Sequence, residues 1–475
     1  MALQQQSPTA QPAKQSQRVN IGTGQRLALG AGFFAMFFAA QSVNVLAVPF
    51  YQMTLGVDPF LLGLALTLPV LLGTVLGPWV GHLSDQSKSR FGRRRPFILI
   101  ASWLSCLCFG LIWMVPAHWS ETAQLLYFVL WSLAFYIAAT FVAVPMTCLA
   151  YEMSPDYHQR TEIMGFTTYF LKLGSLLYQW LFPLAKLALF SSVFIGIRYV
   201  GWGVAVFILG LLGSLAAIYS RERAPRRAPL LPRASLRDSL ATLGANRSLR
   251  VLLLLTLLQL GGGAYSAGMD YYLLVYFMFD GNIAEGAIWK GALSVAYAAL
   301  GFATVPWLVR LSSRYGKVRA LVLIYWLTAL GGVLKWFIFT PGTGWWLLLD
   351  AVFCTAIWTA MTMLLPSMLA DVCDEDELLH GERREGLFVA LHNWVSSISV
   401  ALALLLAGLS LNLIGFDARL GGAQPEQSIF AMRLILCFGT VLFSLMSLIC
   451  LRYYRLTAAR SQQISQQLLA QHSQQ

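Results

Sequence analysis

Four charged side chains stand out inside long apolar stretches of this 475-residue chain: Lys172, Asp270, Lys335 and Asp350. An ionisable group in apolar surroundings is costly, so it is kept where it binds, carries protons or pairs. Lys172 stands eight residues into its apolar stretch, roughly 12 Å from the end at helical rise, too deep for its stem to reach out. Its two readings are a functional cation and a structural pair with a neighbouring carbonyl or acid. Asp270 follows Gly261-Gly262-Gly263 and Gly268, a run that can break or bend a helix beside a site. Proton or substrate handling is one reading of it, a helix-capping acid at an interface the other. Lys335 and Asp350 lie near the ends of their stretches, and both are expected to reach polar headgroups. Uncharged candidates join them. His392, Asn393 and Trp394 form a compact polar and aromatic cluster, and Gln41, Ser42, Asn44 and Tyr136 supply amide and hydroxyl groups suited to a cavity wall. Of the fifteen tryptophans, most are expected at the membrane interface, and Trp358 is taken as the aromatic site candidate.

The elements that must hold these residues follow from composition. The chain is 57% hydrophobic and 11% charged, against about 25% charged in soluble domains. That much apolar surface has to face lipid. The apolar runs are continuous rather than alternating, so they predict helices and not a barrel. Crossing the hydrocarbon takes roughly 20 residues, and twelve spans fit the length. They are read at 26–52, 59–83, 96–116, 124–150, 164–183, 192–219, 250–278, 287–311, 318–339, 345–370, 386–411 and 427–452. Residues 1–25 form a polar N-terminal tail with no cleavable leader, and the Gln/Ser-rich 453–475 a C-terminal tail that is disordered or a loose helix. The termini and the loops after even-numbered spans hold 26 of the 33 Lys and Arg residues, which predicts both termini in the cytoplasm. The net charge of +12 is thereby an orientation signal and a match for anionic lipid, and nucleic-acid binding is excluded. Seven cysteines without metal-ligand spacing, and no phosphate-binding loop or nucleophile elbow, leave no enzyme, cofactor or metal reading.

The halves repeat. Ser89-Arg90-Phe91-Gly92-Arg93-Arg94-Arg95 recurs 224 residues later as Ser313-Arg314-Tyr315-Gly316-Lys317-Val318-Arg319. Pro145 precedes Gly165 by 20 residues, as Pro366 precedes Gly386. The Arg- and Pro-rich stretch 220–249 lies between the repeats. The expected domains are therefore six-helix bundles at 26–219 and 250–452, joined by a cytoplasmic linker and related by a pseudo-twofold axis along the membrane normal.

Gly81, Asp85, Arg90, Gly92, Arg93, Arg94 and Arg95, with Pro96 and Phe97 after them, resemble the loop 2–3 signature of the major facilitator superfamily, and in detail that of sucrose–proton symporters. Leu369-Ala370-Asp371, Asp374 and Glu377, then Arg383, Arg384, Glu385 and Gly386, resemble the glycoside–pentoside–hexuronide:cation symporters. The resemblance implies an all-α polytopic membrane protein of the major facilitator fold, working by alternating access in a bacterial inner membrane. These motifs are its cytoplasmic gating elements. It implies transport of a sugar or glycoside, with a lysolipid or other amphipath as alternative cargo, or a non-transporting assembly or pigment-delivery role. Where that family places cation- and sugar-binding charges, this chain has Phe37, Gly73, Gly77, Ala143 and Ser397, and Tyr136 stands at the acid position of plant-type members. Sodium coupling is therefore not expected, since a hard cation takes several oxygen ligands. Proton coupling through Asp270, with Lys172 as counter-charge or substrate donor, is the expectation that remains.

Overall fold

The computed structural model describes residues 22–87, 89–153, 157–220, 246–380 and 385–472, all helix and connecting turns with no strand among them. Eleven helices among them are long and apolar enough to cross a membrane. In the first half these are α1 (Thr23–Gln52), α2 (Pro59–Gln86), α3 (Arg95–Ile112), α4 (Glu121–Glu152) and α6 (Val193–Tyr219). In the second they are α7 (Arg247–Met278), α8 (Ile283–Tyr315), α9 (Lys317–Ile338), α10 (Leu349–His380), α11 (Glu385–Leu413) and α12 (Glu426–Leu451). The twelfth crossing is α5, residues 157–185, which a tight turn at Tyr178–Trp180 divides. Its charged first turns and Lys172 keep its mean hydropathy down, but it packs along α1 and α8 like the other spans.

Local chemistry sets the boundaries. Asp58, Ser120, Ser192, Asn246 and Asn282 each accept from a backbone N–H in the first turn of the helix they precede, satisfying a donor that the helix leaves open. Pro59 then opens α2 without wasting an N–H. The repeated loop motif has a backbone reason: Gly92 and Gly316 both have positive φ, 108° and 87°, a region that side-chain-bearing residues avoid.

Several elements differ from the sequence reading. The tenth span, expected to end at 370, runs on to His380, so Asp371, Asp374 and Glu377 sit on a helix rather than a loop. Helical hydrogen bonding does not stop where apolar sequence does. The tail is helical, one of the two forms expected, but α13 (Ala458–His472) is packed rather than loose, with Ile464 and Leu468 buried against the second half. The linker expected at 220–249 falls mainly on 221–245, outside the described residues.

The crossings alternate in direction, so both ends of the described chain lie on one side, here called the terminal end. The turns at 53–58, 113–120 and 414–425 mark the opposite, loop end. Near the loop end the halves are in close contact. A Cβ on Gly63 would come within 2.8 Å of the Leu404 carbonyl oxygen, and one on Gly408 would collide with that of Pro59. Thr67 donates to the Ala401 carbonyl at 3.1 Å, Asn412 to Asp58 at 2.7 Å, and Tyr272 to Gln52 at 2.6 Å. About three turns beyond Thr67 along α2 this packing is gone: a Cβ on Gly77 would meet nothing within 4 Å.

Candidate functional site

The space beside Gly77 is a cavity of about 580 Å³. Its walls come from α1, α2, α3, α4 and α6, closed from the second half by Leu260 of α7 and Ser396, Ser397 and Val400 of α11. Of Gln41, Ser42, Asn44 and Tyr136, chosen from sequence as cavity residues, all but Ser42 line it; Ser42 is fully buried away from it. Gly73, Gly77, Ala143 and Ser397 line it too, so small residues make the room. Phe37 does not; it packs edge-on against Tyr178 at 5.4 Å. Asn44 Oδ1 and Ser102 Oγ, both in the wall, are buried without a hydrogen-bond partner. Such atoms are rare in folded proteins and ask for a ligand or water. No carboxylate lines the cavity among the described residues.

The charges lie elsewhere. Asp270 on α7 is paired with Lys290 on α8 at 2.5 Å. Lys290 is thus the counter-charge that was assigned to Lys172. Lys335 on α9 and Asp350 on α10 pair at 2.6 Å, and their side chains are only 5% and 1% exposed. Tyr297 of α8 donates to Asp350 at 2.8 Å. This corrects the expectation that Lys335 and Asp350 reach headgroups: each satisfies the other inside the second half, which costs far less than burying either ion alone. A small cavity of about 40 Å³ adjoins them, lined by Tyr297, Lys335, Gln259, Thr328 and the candidate Trp358. It has room for one or two waters. Lys172 stands apart, half-buried on α5 against Gly301 of α8, whose missing side chain leaves its ammonium room. The neighbouring Ser294 donates to the Ser175 carbonyl at 3.2 Å, tying α8 to α5. His392 is half-buried with Nε2 unbonded, and Asn393 beside it is exposed; neither lines the large cavity.

At the terminal end a basic residue of each repeated motif ties its turn to a neighbouring helix. Arg95 donates to the carbonyls of Ala217 and, at 2.9 Å, Ile218, closing the C-terminus of α6, where a cation is favoured. Lys317 donates to Asp371 at 2.7 Å and to the Ser367 carbonyl at 3.1 Å, joining the 8–9 turn to α10. Arg94 is buried, Arg93 half-buried and Arg90 exposed, while Gly81 lies on α2. Asp374 and Glu377 follow Asp371 along α10. Arg383 and Arg384 lie outside the described residues, as do the side chains of Asp85 and Glu385, while Gly386 lies in the first turn of α11.

The MFS/sugar transport protein profile matches residues 28–458, which is most of the chain. The chain belongs to the MFS/sugar transport family. It is similar to an uncharacterized symporter of Synechocystis sp., at 26% identity over 94% of this chain and 96% of the relative. A putative glycoside/cation symporter of Escherichia coli is 23% identical over 94% of each chain. Among solved structures, a bacterial homologue of the human lysosomal transporter Spinster, inward-facing and occupied, superposes with a TM-score of 0.66 over 90% of this chain and 95% of that one, at 15% identity. The fold is the twelve-helix major facilitator fold, and the protein is an integral membrane transporter rather than an enzyme. Gly73, Gly77, Ala143 and Ser397, the positions where the resemblance led charges to be expected, are small uncharged residues of the cavity wall. Sequence reasoning missed Lys290. Its signal was present, a lysine inside an apolar stretch seven residues after the start of α8.

Proposed function

We propose that this protein is a proton-coupled symporter of a sugar or glycoside, working by alternating access with both termini in the cytoplasm of a bacterial cell. The observation that carries the reading is the cavity at Gly77 with Asn44 Oδ1 and Ser102 Oγ unsatisfied in its wall. An amide oxygen and a hydroxyl suit the hydroxyl rim of a sugar. Tyr136 and the apolar wall of Met36 and Val70 suit its less polar faces. A volume of about 580 Å³ lies in the range of small-molecule sites, ≈300–1,000 Å³. The glycoside/cation symporter relative supports the same cargo class. With the loop end packed and α2 free at Gly77, the described conformation corresponds to the state open to the cytoplasm.

Coupling is assigned to the charges of the second half. A wall without carboxylates is a poor sodium site. Asp270, paired to Lys290 between α7 and α8, is a carboxylate that a proton can neutralise. Lys172, at the contact between α5 and α8, is the remaining candidate for a substrate donor.

The test is sugar-driven proton uptake in proteoliposomes, with a panel of disaccharides and glycosides offered to the wild type and to Asp270→Asn. The expected result is external alkalinisation with at least one sugar and none in the variant. Folded wild-type protein that moves no sugar in the panel would overturn the cargo assignment. Sugar uptake unaccompanied by protons would overturn the coupling.

A further inference from the structure

We propose that the groove between α7 and α12 at the terminal end is a binding site for an anionic phospholipid, with the headgroup phosphate on Arg247 and Arg250 and one acyl chain along the helices below. The groove holds about 520 Å³ and lies on the outer surface of the second half, away from the cargo cavity. Its floor is Val251 and Cys450, both buried. Its rims are Leu254 and Ile449, 45% and 56% exposed, so the slot is open to the surrounding hydrocarbon.

Charge complementarity selects the occupant. Arg247 and Arg250 stand at the mouth, both exposed, and neither guanidinium has a carboxylate partner among the described residues. Arg247 lies over the ring of Tyr453, 5.6 Å from its centroid, which holds the cation at the mouth. The helix itself does not explain them: they sit in the first turn of α7, where the backbone field is already positive. Basic residues above an apolar slot between spans are the chemistry that holds an anionic headgroup.

Length agrees with this occupant. From Arg247 to Leu258, the deepest lining residue on α7, the helix rises roughly 17 Å. One leaflet of hydrocarbon is about 15 Å thick, half of the ~30 Å core. A chain seated under the arginines therefore ends near the bilayer midplane, as a leaflet lipid does. Such a lipid would clamp the start of α7 to the end of α12.

The experiment is native mass spectrometry of the full-length protein titrated with dioleoylphosphatidylglycerol or dioleoylphosphatidylcholine. Wild type is expected to retain the glycerol lipid in preference. Arg247→Gln/Arg250→Gln should lower that preference about thirtyfold, from roughly fivefold per arginine. Arg310→Gln/Arg314→Gln, at the terminal end of α8, should leave it unchanged. Ile449→Trp, which fills the slot and keeps both arginines, should lose binding of either lipid. Thermal melts of each variant establish that the fold is intact. Equal retention of both lipids by wild type, a preference that survives loss of both arginines, or full binding with the slot filled would each overturn the proposal.

Discussion

The two halves carry a repeated loop motif and six crossings each, yet their interiors differ in kind. The first half surrounds a cavity of about 580 Å³ with amides, hydroxyls and small side chains. The second holds a small cavity of about 40 Å³ beside the Asp350–Lys335 pair and a further acid–base pair, Asp270–Lys290. Room for cargo requires glycines and alanines on facing helices. Burying charge requires the opposite, close packing that lets each ion find its partner at 2.5–2.6 Å. A single half could not easily do both, because a wide wet cavity would screen the pairs that a tight interior strengthens.

Stability measurements can break or sharpen this contrast. The largest effect is expected at the most buried pair. Lys335→Met strands Asp350 and should cost about 3–5 kcal/mol, whereas Lys335→Met/Asp350→Leu should recover most of it, since an apolar replacement of both partners is often neutral. Thermal unfolding in detergent reads both; a double variant as unstable as the single one would show that the pair is not the source. Next comes the contact between the halves. Gly408→Ala pushes a methyl into the Pro59 carbonyl and should cost about 1–3 kcal/mol of the packed loop end. Spin labels near residues 58 and 412 should then report separation there, and unchanged distances would contradict the close approach. Asn412→Ala removes one exposed hydrogen bond to Asp58 and is expected to cost about 0.5–1.5 kcal/mol. The smallest change in stability, within about 0.5 kcal/mol, belongs to Gly77→Leu, whose side chain enters open space. That same substitution should stop transport by occupying the cavity. Full transport by Gly77→Leu would remove the cavity from the mechanism.

Much of this was legible in sequence, for physical reasons that also explain what was not. Spans announce themselves because lipid demands continuous apolar helix, and Gly92 and Gly316 because a positive φ demands glycine. Gln41, Asn44 and Tyr136 were legible as cavity residues because polar groups in spans need a polar neighbour. Pairing was not legible. Asp270 finds Lys290 across a helix interface, and nothing in linear spacing separates that partner from Lys172. Lys335 and Asp350 looked able to reach the surface, since hydropathy gives depth along a span but not the direction a side chain faces. The extension of α10 to His380 and the docking of α13 were hidden for a further reason: both are polar helices held by a few buried contacts such as Ile464 and Leu468.

The division between a cargo half and a charge half is tested most directly by comparing sugar counterflow with proton-driven accumulation in Asp270→Asn and Gly77→Leu. The account predicts that Asp270→Asn keeps exchanging sugar across the membrane but no longer concentrates it, while Gly77→Leu loses both. If Asp270→Asn abolished exchange as completely as the filled cavity, or still accumulated sugar against a gradient, the separation of cargo from charge would be wrong.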